Sequence, residues 1–183
     1  MDIYFLSSNK FKINEVQTIL NSSCIKVHSV SQKINEIQSN DMKEIALDKA
    51  LKAFQQIGRP ILIEQTGLLI KDFGNLPGGL TQIFWDSLEA DKFSYIFSKI
   101  GSAEVIAKTV LAFCDGKQIF TFEGEIAGHI VYPPRGNTDF QWDCVFVPLG
   151  YDKTFVELGT LKNDISMRKI ALEKLRTYLE DIK

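Results

Sequence analysis

The sequence predicts an α/β fold with a mixed sheet, because signals for parallel and antiparallel strands occur in one chain of 183 residues. Near the N-terminus, apolar runs alternate with helical patterns, the arrangement that gives βαβ units. Farther along, two β-rich segments flank Asp115-Gly116, a dipeptide typical of a hairpin turn. No repeat or flexible linker divides the chain, so we expect a single domain over residues 1–183.

The first elements follow from apolar periodicity and from capping residues. Residues 3–6 predict a short apolar strand, and Ser7-Ser8-Asn9 offers caps for a helix over residues 10–20. A second strand is predicted over residues 25–30, because this run is again rich in apolar and β-branched side chains. Together these elements make the first βαβ-type unit of the chain.

The third predicted strand contains an unusual polar interruption. Asp41 and Glu44 resemble a capping box, and Gly58-Arg59-Pro60 ends the helix that they open. The apolar run 61–63 then predicts a buried strand, which meets Glu64-Gln65-Thr66-Gly67 before the apolar pattern resumes. Polar side chains at the end of a buried strand are costly unless they are paired or used, so this segment is a candidate site.

The second half of the chain predicts an antiparallel region and a C-terminal helix. Gly124 and Gly128 fall inside the second hairpin strand, where we expect bulges. The predicted elements are a Gly/Pro-rich loop over 74–80, helices over 81–88 and 91–100, strands over 104–114, 118–131 and 144–147, and a final helix over 163–182.

Composition and charge exclude several classes of function. The net charge of −2 and the scattered lysines argue against a nucleic-acid partner or a membrane surface. No apolar stretch approaches the roughly 18 residues that span a bilayer, and the N-terminus does not resemble a signal peptide. Three cysteines without C-x-x-C spacing argue against a disulfide scaffold or a zinc site and suit a cytoplasmic protein.

Two segments suggest binding of a phosphate and a metal ion. Ser7-Ser8-Asn9 at a helix start presents backbone N–H groups and hydroxyls to an anion, with Lys12 within the first turn. Glu36 and Glu64 could ligate Mg²⁺, which prefers carboxylate oxygens and usually keeps several waters. The alternatives are an ordinary helix cap and a solvated loop acid, and each motif alone leaves them open.

Two further segments suggest recognition of a base. Phe140 and Trp142 lie two apart on a predicted extended segment, so a base could stack on both rings while Asp143 reads a ring N–H. Lys162 and Arg168 flank a predicted helix start, where an anion or a carbonyl could bind. A half-buried strand face and ordinary surface cations are the alternatives. The order of all four segments along one chain is more informative than any one of them.

Taken together, these motifs resemble the inosine triphosphate pyrophosphatase family, which hydrolyses noncanonical purine nucleoside triphosphates. We match its opening T-G-N-x-x-K-x-x-E to SSNKFKINEV and its E-D-T/S-G…L-x-G-x-P-G segment to ILIEQTGLLIKDFGNLPGG. We match its P-R-G…F-G-[YW]-D-P-x-F block to PPRGNTDFQWDCVF, and its K-N-x-x-S-H-R-x-x-A-L to LKNDISMRKIAL. The resemblance covers about residues 3–180, nearly the whole chain.

The resemblance implies an elongated mixed sheet flanked by helices, two lobes with a central nucleotide cleft, and a homodimer. It also implies attack of water on the α-phosphorus of a small-molecule nucleotide, with Mg²⁺ as the cofactor and pyrophosphate as the leaving group. Carried over by motif, Glu36 and Glu64 would serve the metal, and Glu64 and Gln65 would stand at the catalytic position. The residues that would contact substrate are Ser7, Ser8, Asn9, Lys12, Lys49, Thr66, Phe140, Gln141, Trp142, Asp143, Lys162, Met167 and Arg168.

The chain departs from the family pattern at the site itself. Gln65 stands where the family has an acid that ligates metal and activates water, and glutamine cannot take a proton at neutral pH. It can still orient a water, as glutamine does in some GTPases. Met167 replaces a histidine beside Arg168, from which we expect an altered base preference. Gln141 and Cys144 replace Gly and Pro around the aromatic pair.

Three functions are compatible with these residues. The first is a Mg²⁺-dependent pyrophosphatase in which Gln65 positions water and Glu64, Glu36 or Asp143 is the base. The second is a catalytically silent nucleotide-binding module on the same scaffold, because the substrate-side residues suit both. The third is a purely structural α/β protein, which gives no reason for these residues to occur together.

Overall fold

The computed structural model of the protein describes residues 1–22, 24–99, 104–138 and 141–181. The strands are β1 (Asp2–Leu6), β2 (Lys26–Val30), β3 (Ile61–Ile70), β4 (Leu76–Gly78), β5 (Val105–Cys114), β6 (Ile119–Ile130) and β7 (Phe146–Pro148). The helices are α1 (Lys10–Leu20), α2 (Met42–Ile57), α3 (Thr81–Ser98), α4 (Phe155–Leu158), α5 (Lys162–Ile165) and α6 (Met167–Asp181).

The strands form one mixed sheet, as the sequence predicts. Their order is β2-β1-β3-β5-β6-β7, and β4 pairs with the second half of β3. β1 is parallel to both β2 and β3, whereas β3, β5, β6 and β7 pair antiparallel. The Asp115-Gly116 hairpin joins β5 to β6, and the α/β class with a mixed sheet is therefore confirmed.

The apolar core lies in three clusters that cover both faces of the sheet. On one face, α1 and α6 pack against the first half of β3, around Leu62. On the opposite face, α2 packs against Ile61 and Ile63. The third cluster begins at Leu68 and joins the second half of β3 to α3, α4 and the segment 142–146. Each fully buried Leu, Ile or Phe contributes about 1.5–3 kcal/mol.

The arrangement of these clusters leaves a polar gap along β3. Side chains alternate along a strand, so Leu62, Glu64, Thr66 and Leu68 share one face. Leu62 belongs to the cluster under α1 and α6, and Leu68 belongs to the third cluster. Glu64 and Thr66 therefore lie between two apolar lobes.

Two helix boundaries follow the predicted chemistry. The Asn9 carboxamide oxygen accepts hydrogen bonds from the backbone N–H groups of Phe11 and Lys12 at 3.0 and 3.2 Å and so begins α1. Asp41 caps α2 in the same manner, but the Glu44 carboxylate bonds the Ser39 hydroxyl, so only half of the predicted capping box forms. The predicted break between residues 88 and 91 is confirmed, because Glu89 leaves the helical conformation with φ 58° and ψ 172°.

Three local predictions are wrong, and the first concerns the glycines of β6. Within the described hairpin, no bulge occurs at Gly124 or Gly128, because the β5–β6 register is continuous from Val105↔Gly128 to Cys114↔Ile119. A Cβ at Gly124 would instead lie 1.9 Å from the Met167 carbonyl oxygen, so close approach of α6 requires glycine.

The other two differences lie at the C-terminal end of the chain. The predicted single helix over 163–182 is interrupted at Ser166, which adopts ψ 154° and separates α5 from α6. Residues 141–144 form a 3-10 turn rather than an extended segment, and the predicted strand over 144–147 therefore begins only at Phe146. In the described ranges, no helix has both the length and the apolar character needed to cross a bilayer.

Candidate active site

The polar gap on β3 contains a buried ionic cluster centred on Glu64. Arg168 donates to it twice, from Nε to Oε2 at 2.7 Å and from Nη2 to Oε1 at 3.0 Å. Lys12 Nζ lies 3.0 Å from the same Oε1, and the Thr66 hydroxyl donates to it at 2.9 Å. Arg168 Nη1 also donates to Glu15 at 2.6 Å. The cluster therefore joins α1, β3 and α6.

The charges in this cluster are fixed by their mutual contacts. The Glu64 and Arg168 side chains are each only 2% exposed. Burial alone would raise the pKa of Glu64, but Arg168 and then Lys12 hold it well below its ordinary value. Burial opposes the charge of Arg168 as well, yet Glu64 and Glu15 raise its pKa above the ordinary value. Both groups are therefore held in their ionised forms at neutral pH.

A polar cavity of about 440 Å³ opens on one side of the cluster. Its wall includes Ser7, Ser8, Asn9 and Lys12 at the start of α1. Further along the wall, Lys49 of α2 bonds the Glu36 carboxylate. The N-terminal end of a helix together with two lysines makes this cavity suited to an anion.

A second, helix-lined cavity of about 600 Å³ opens on the other side of the cluster. Phe11 and Glu15 of α1 lie on one wall, and Asp143, Lys162 and Arg168 contribute polar groups. Lys162 bonds Asp143 and lies 5.5 Å from the Phe155 ring centroid. Burial outweighs the attraction within this pair, so the pKa of Asp143 is raised and that of Lys162 is lowered.

Known proteins resemble this chain over nearly its whole length. The profile described as the Ham1 family matches residues 3–178. The chain belongs to the Ham1 family. It is 33% identical to the inosine triphosphate pyrophosphatase of Yarrowia lipolytica over 99% of this chain and 97% of that protein. It is also 33% identical to the dITP/XTP pyrophosphatase of Ignicoccus hospitalis over 97% of this chain and 96% of that protein.

Solved structures of Ham1 proteins have the same fold. The HAM1 protein from Coxiella burnetii superposes with a TM-score of 0.85 at 26% identity, covering 99% of both chains. The Staphylococcus aureus Ham1 protein superposes with a TM-score of 0.83 at 22% identity and covers both chains completely.

Gln65 lies on the opposite sheet face from Glu64. Alternation along β3 directs it toward α2 with Ile63, and its amide nitrogen lies 3.5 Å from the Gly79 carbonyl oxygen. It does not line the polar cavity within the described ranges. Glu64 and Gln65 are neighbours in sequence, but their side chains occupy different environments.

Two predicted base-contacting residues are in the core. Trp142 is 3% exposed and packs near Phe146 and Phe155, with ring centroids 5.9 and 6.3 Å apart. Met167 is 1% exposed in the same cluster. The 3-10 turn explains the burial of Trp142, because it directs the ring inward where an extended segment would leave one face open. Phe140 lies outside the described residues.

Sequence reasoning did not single out Glu15, Gln82 or Thr109. Glu15 accepts a hydrogen bond from Arg168. Thr109 lies on β5 opposite Thr66, and the hydroxyl oxygens of the two threonines are 3.2 Å apart. Glu15 belongs to the matched opening motif T-G-N-x-x-K-x-x-E, which was the signal available for it. Gln82 bonds Gln141 across 59 positions, a contact that no local pattern predicts.

Proposed function

We propose that the protein hydrolyses noncanonical purine nucleoside triphosphates of the ITP, dITP and XTP type to the monophosphate and pyrophosphate. The observation that carries the proposal is the pair of unlike cavities that meet at the Glu64–Arg168 ion pair. One is polar and suited to phosphates, and the other combines apolar side chains with hydrogen-bonding groups suited to a base. The names of the Yarrowia and Ignicoccus relatives support the same reaction.

On the phosphate side, Ser7 and Ser8 offer hydroxyls, Asn9 offers its amide nitrogen, and Ser8 offers its backbone N–H. The N–H groups of Ser7 and Asn9 already donate to the Val30 carbonyl and the Ser7 hydroxyl. Lys12 and Lys49 neutralise the charge of the triphosphate from two directions. Lys12 is held by Glu64, and Lys49 by Glu36, so neither ammonium group has to be ordered when substrate binds. Thr66, hydrogen-bonded to Glu64, keeps this carboxylate in place.

On the base side, Asp143, Lys162 and Arg168 face the helix-lined cavity. Asp143 accepts from a ring N–H, and Arg168 has N–H groups beyond those bound to Glu64 and Glu15 with which to donate to a 6-oxo group. Phe140 is proposed to stack on the base. Trp142 does not contact the base in this proposal but stabilises the turn that carries Asp143.

We propose Mg²⁺ as the cofactor, held by Glu36 rather than by Glu64. Glu36 is 38% exposed at the polar cavity and has a single hydrogen-bond partner, Lys49, in the described structure. Glu64 fits a metal poorly, because its Oε1 already accepts from three donors and its Oε2 from Arg168. When bound, Mg²⁺ would supply charge neutralisation at the phosphate oxygens. The described residues contain no group of three or more His, Cys, Asp or Glu side chains that could hold a metal without substrate.

In this proposal Gln65 positions the attacking water through its amide and does not remove a proton. Its side chain would have to turn from the Gly79 carbonyl toward the polar cavity, and the 3.5 Å contact that it would leave is weak. Glu64 cannot take the proton in its place, because Arg168 and Lys12 keep its pKa low.

A catalytically silent nucleotide-binding protein is the second candidate. The specific observation in its favour is that Gln65 is neutral and does not line the polar cavity within the described ranges, whereas Lys12, Lys49 and Arg168 line the two cavities. A third variant of the proposal concerns base preference. Because Met167 is buried in the core, no donor stands beside Arg168 at this position, and we propose a weaker preference for 6-oxopurines than a histidine would give.

The deciding experiment measures pyrophosphate release from inosine, xanthosine, deoxyinosine and ordinary triphosphates, with and without Mg²⁺. The same substrates are tested with Gln65→Asp. We expect Mg²⁺-dependent turnover of the 6-oxopurine substrates by the unmodified chain, and a faster rate for the variant. If only Gln65→Asp turns over, the protein is the silent binder. If neither protein hydrolyses or binds any nucleotide, the proposed function is wrong.

We also propose a cytoplasmic homodimer. Cys24, Cys114 and Cys144 are thiols rather than disulfides in the described ranges, which suits a reducing compartment. Exposed apolar side chains such as Tyr132 and Leu149, 52% and 75% exposed, are available to a second subunit. Light scattering at micromolar concentration tests the dimer.

A further inference from the structure

Gln141 has a backbone conformation that favours glycine. Its φ is 48°, in the left-handed region, at the start of the 3-10 turn Gln141–Cys144. The F-G-[YW]-D pattern that this segment resembles has glycine at the corresponding position, and a glycine would adopt the conformation without a Cβ clash. The backbone conformation therefore does not explain a glutamine at position 141, whereas the contacts of its side chain can.

The side chain of Gln141 is held by a second glutamine across the cleft. Its Nε2 donates a hydrogen bond to Oε1 of Gln82, in the first turn of α3. Gln82 in turn donates from Nε2 to Oδ1 of Asp86 at 2.7 Å. This chain of three side chains fixes the orientation of the Gln141 amide, because Gln82 Oε1 can only accept and thus requires the amino group of Gln141.

The Gln141–Gln82 pair lies on the wall of the polar cavity, and Gln141 begins the turn that continues to the helix-lined cavity. Both residues line the polar cavity, whereas Asp143, two residues farther along the same turn, lines the helix-lined cavity. A nucleotide with its phosphates in the first cavity and its base in the second must carry its sugar past this turn. Because Gln141 begins this turn, its amide stands on the polar-cavity side of that path.

The side-chain amide of Gln141 can both accept a hydrogen bond from a hydroxyl group and donate one to it. Within the described ranges, Oε1 of Gln141 accepts no hydrogen bond, so it can accept one from a ligand. One N–H of Nε2 also remains beyond the bond to Gln82. A sugar hydroxyl both donates and accepts and thus matches this pair of groups, whereas a phosphate oxygen only accepts.

We propose that Gln141, oriented by Gln82, is a specificity-determining residue that hydrogen-bonds a hydroxyl of the nucleotide sugar. This inference rests on the proposed function, because it requires a nucleotide that spans both cavities. It assigns to this chain a discrimination between ribose and deoxyribose substrates that a glycine at position 141 would not provide.

The test compares kcat/KM for inosine triphosphate and its 2′-deoxy and 3′-deoxy analogues in three proteins: the unmodified chain, Gln141→Gly and Gln82→Ala. Glycine is chosen because it adopts the observed φ without strain. For the unmodified chain we expect a loss of roughly three- to tenfold with one deoxy analogue, the effect of one hydrogen bond. In Gln141→Gly this difference disappears, and in Gln82→Ala it decreases, while Gln118→Ala in the β5–β6 turn retains it.

Two outcomes would overturn the inference. The first is an equal loss for all three substrates in Gln141→Gly, which indicates a structural role or a phosphate contact. The second is a sugar preference that is absent, or that is unchanged by the substitution. Titration calorimetry with inosine monophosphate and its deoxy analogues measures the same preference without turnover. A silent chain that still binds ribose more tightly through Gln141 thus supports the inference, although it contradicts the hydrolytic function.

Discussion

Replacing Glu64 by glutamine tests the ionic cluster directly, because the substitution keeps the shape of the side chain and removes its charge. The carboxamide oxygen of the variant can still accept from Thr66 and from one N–H of Arg168. Its amino group, however, must face a second donor of Arg168 or the ammonium of Lys12, which lie 2.7 and 3.0 Å from the carboxylate oxygens of the unmodified protein. The buried guanidinium then keeps only the Glu15 carboxylate as a counter-charge.

The expected cost follows from burial. Removing one partner of a buried ion pair costs about 3–5 kcal/mol, and both side chains here are 2% exposed. Against a total stability of roughly 5–15 kcal/mol this is a large fraction. For a chain of this size it corresponds to a decrease in Tm of roughly 10 °C.

Urea unfolding at pH 7, followed by circular dichroism, measures the loss, and Glu104→Gln is the matched control. Glu104 pairs with Lys71 at 3.4 Å, but their side chains are 52% and 71% exposed, so we expect no measurable change there. If Glu64→Gln unfolds at the same urea concentration as Glu104→Gln, the stabilising role assigned to the cluster is incorrect.

The pH dependence gives an independent check with a definite sign. The pKa of Glu64 is lower in the folded protein than its ordinary value of 4.5 in the unfolded chain. Its contribution to the free energy of unfolding is therefore fully present above pH 4.5 and decreases as the pH falls below that value. We expect the unmodified protein to lose stability more steeply on acidification than Glu64→Gln, and parallel curves would contradict this account.

Three further substitutions test other parts of the structure. In Gly124→Ala the new Cβ would lie 1.9 Å from the Met167 carbonyl oxygen. We therefore expect displacement of α6 and a loss of at least about 2 kcal/mol in thermal unfolding; an unchanged Tm would refute the close approach. Asp41→Ala removes the cap of α2 and should cost about 1 kcal/mol in the same assay; a stability equal to that of the unmodified protein would mean that the cap is redundant. Lys49→Met leaves Glu36 without its partner and removes a phosphate-side charge, so we expect at least about tenfold weaker binding of inorganic pyrophosphate by calorimetry; equal affinity would remove Lys49 from the binding site.

The elements that depend on local chemistry could be predicted from the sequence. Asn9 and Asp41 cap their helices, and Asp115-Gly116 forms its hairpin, because each needs only its neighbours in the chain. Gly124 illustrates what local chemistry cannot supply. Glycine is required at this position because the backbone of α6, which begins at Met167, approaches it closely. The sequence alone suggested a bulge instead.

The candidate site, too, could be predicted from the sequence only in part. Its residue types could be assigned from the resemblance, and the structure brings Lys12, Glu64 and Arg168 together. The ion-pair partners of those residues could not be assigned from the sequence, because several acidic and several basic side chains could pair with one another in more than one way. The burial of Trp142 was also missed, since the pattern F-Q-W-D does not distinguish an extended segment from a 3-10 turn.

The ionic cluster also has a consequence for how the protein is made. It joins Glu15, Glu64 and Arg168, and the contacts of Arg168 with the two carboxylates span 153 and 104 positions of the chain. A nascent chain that already contains Lys12 and both carboxylates still lacks the guanidinium that bonds Glu15 and Glu64 together. The cluster therefore forms only in a chain that includes α6.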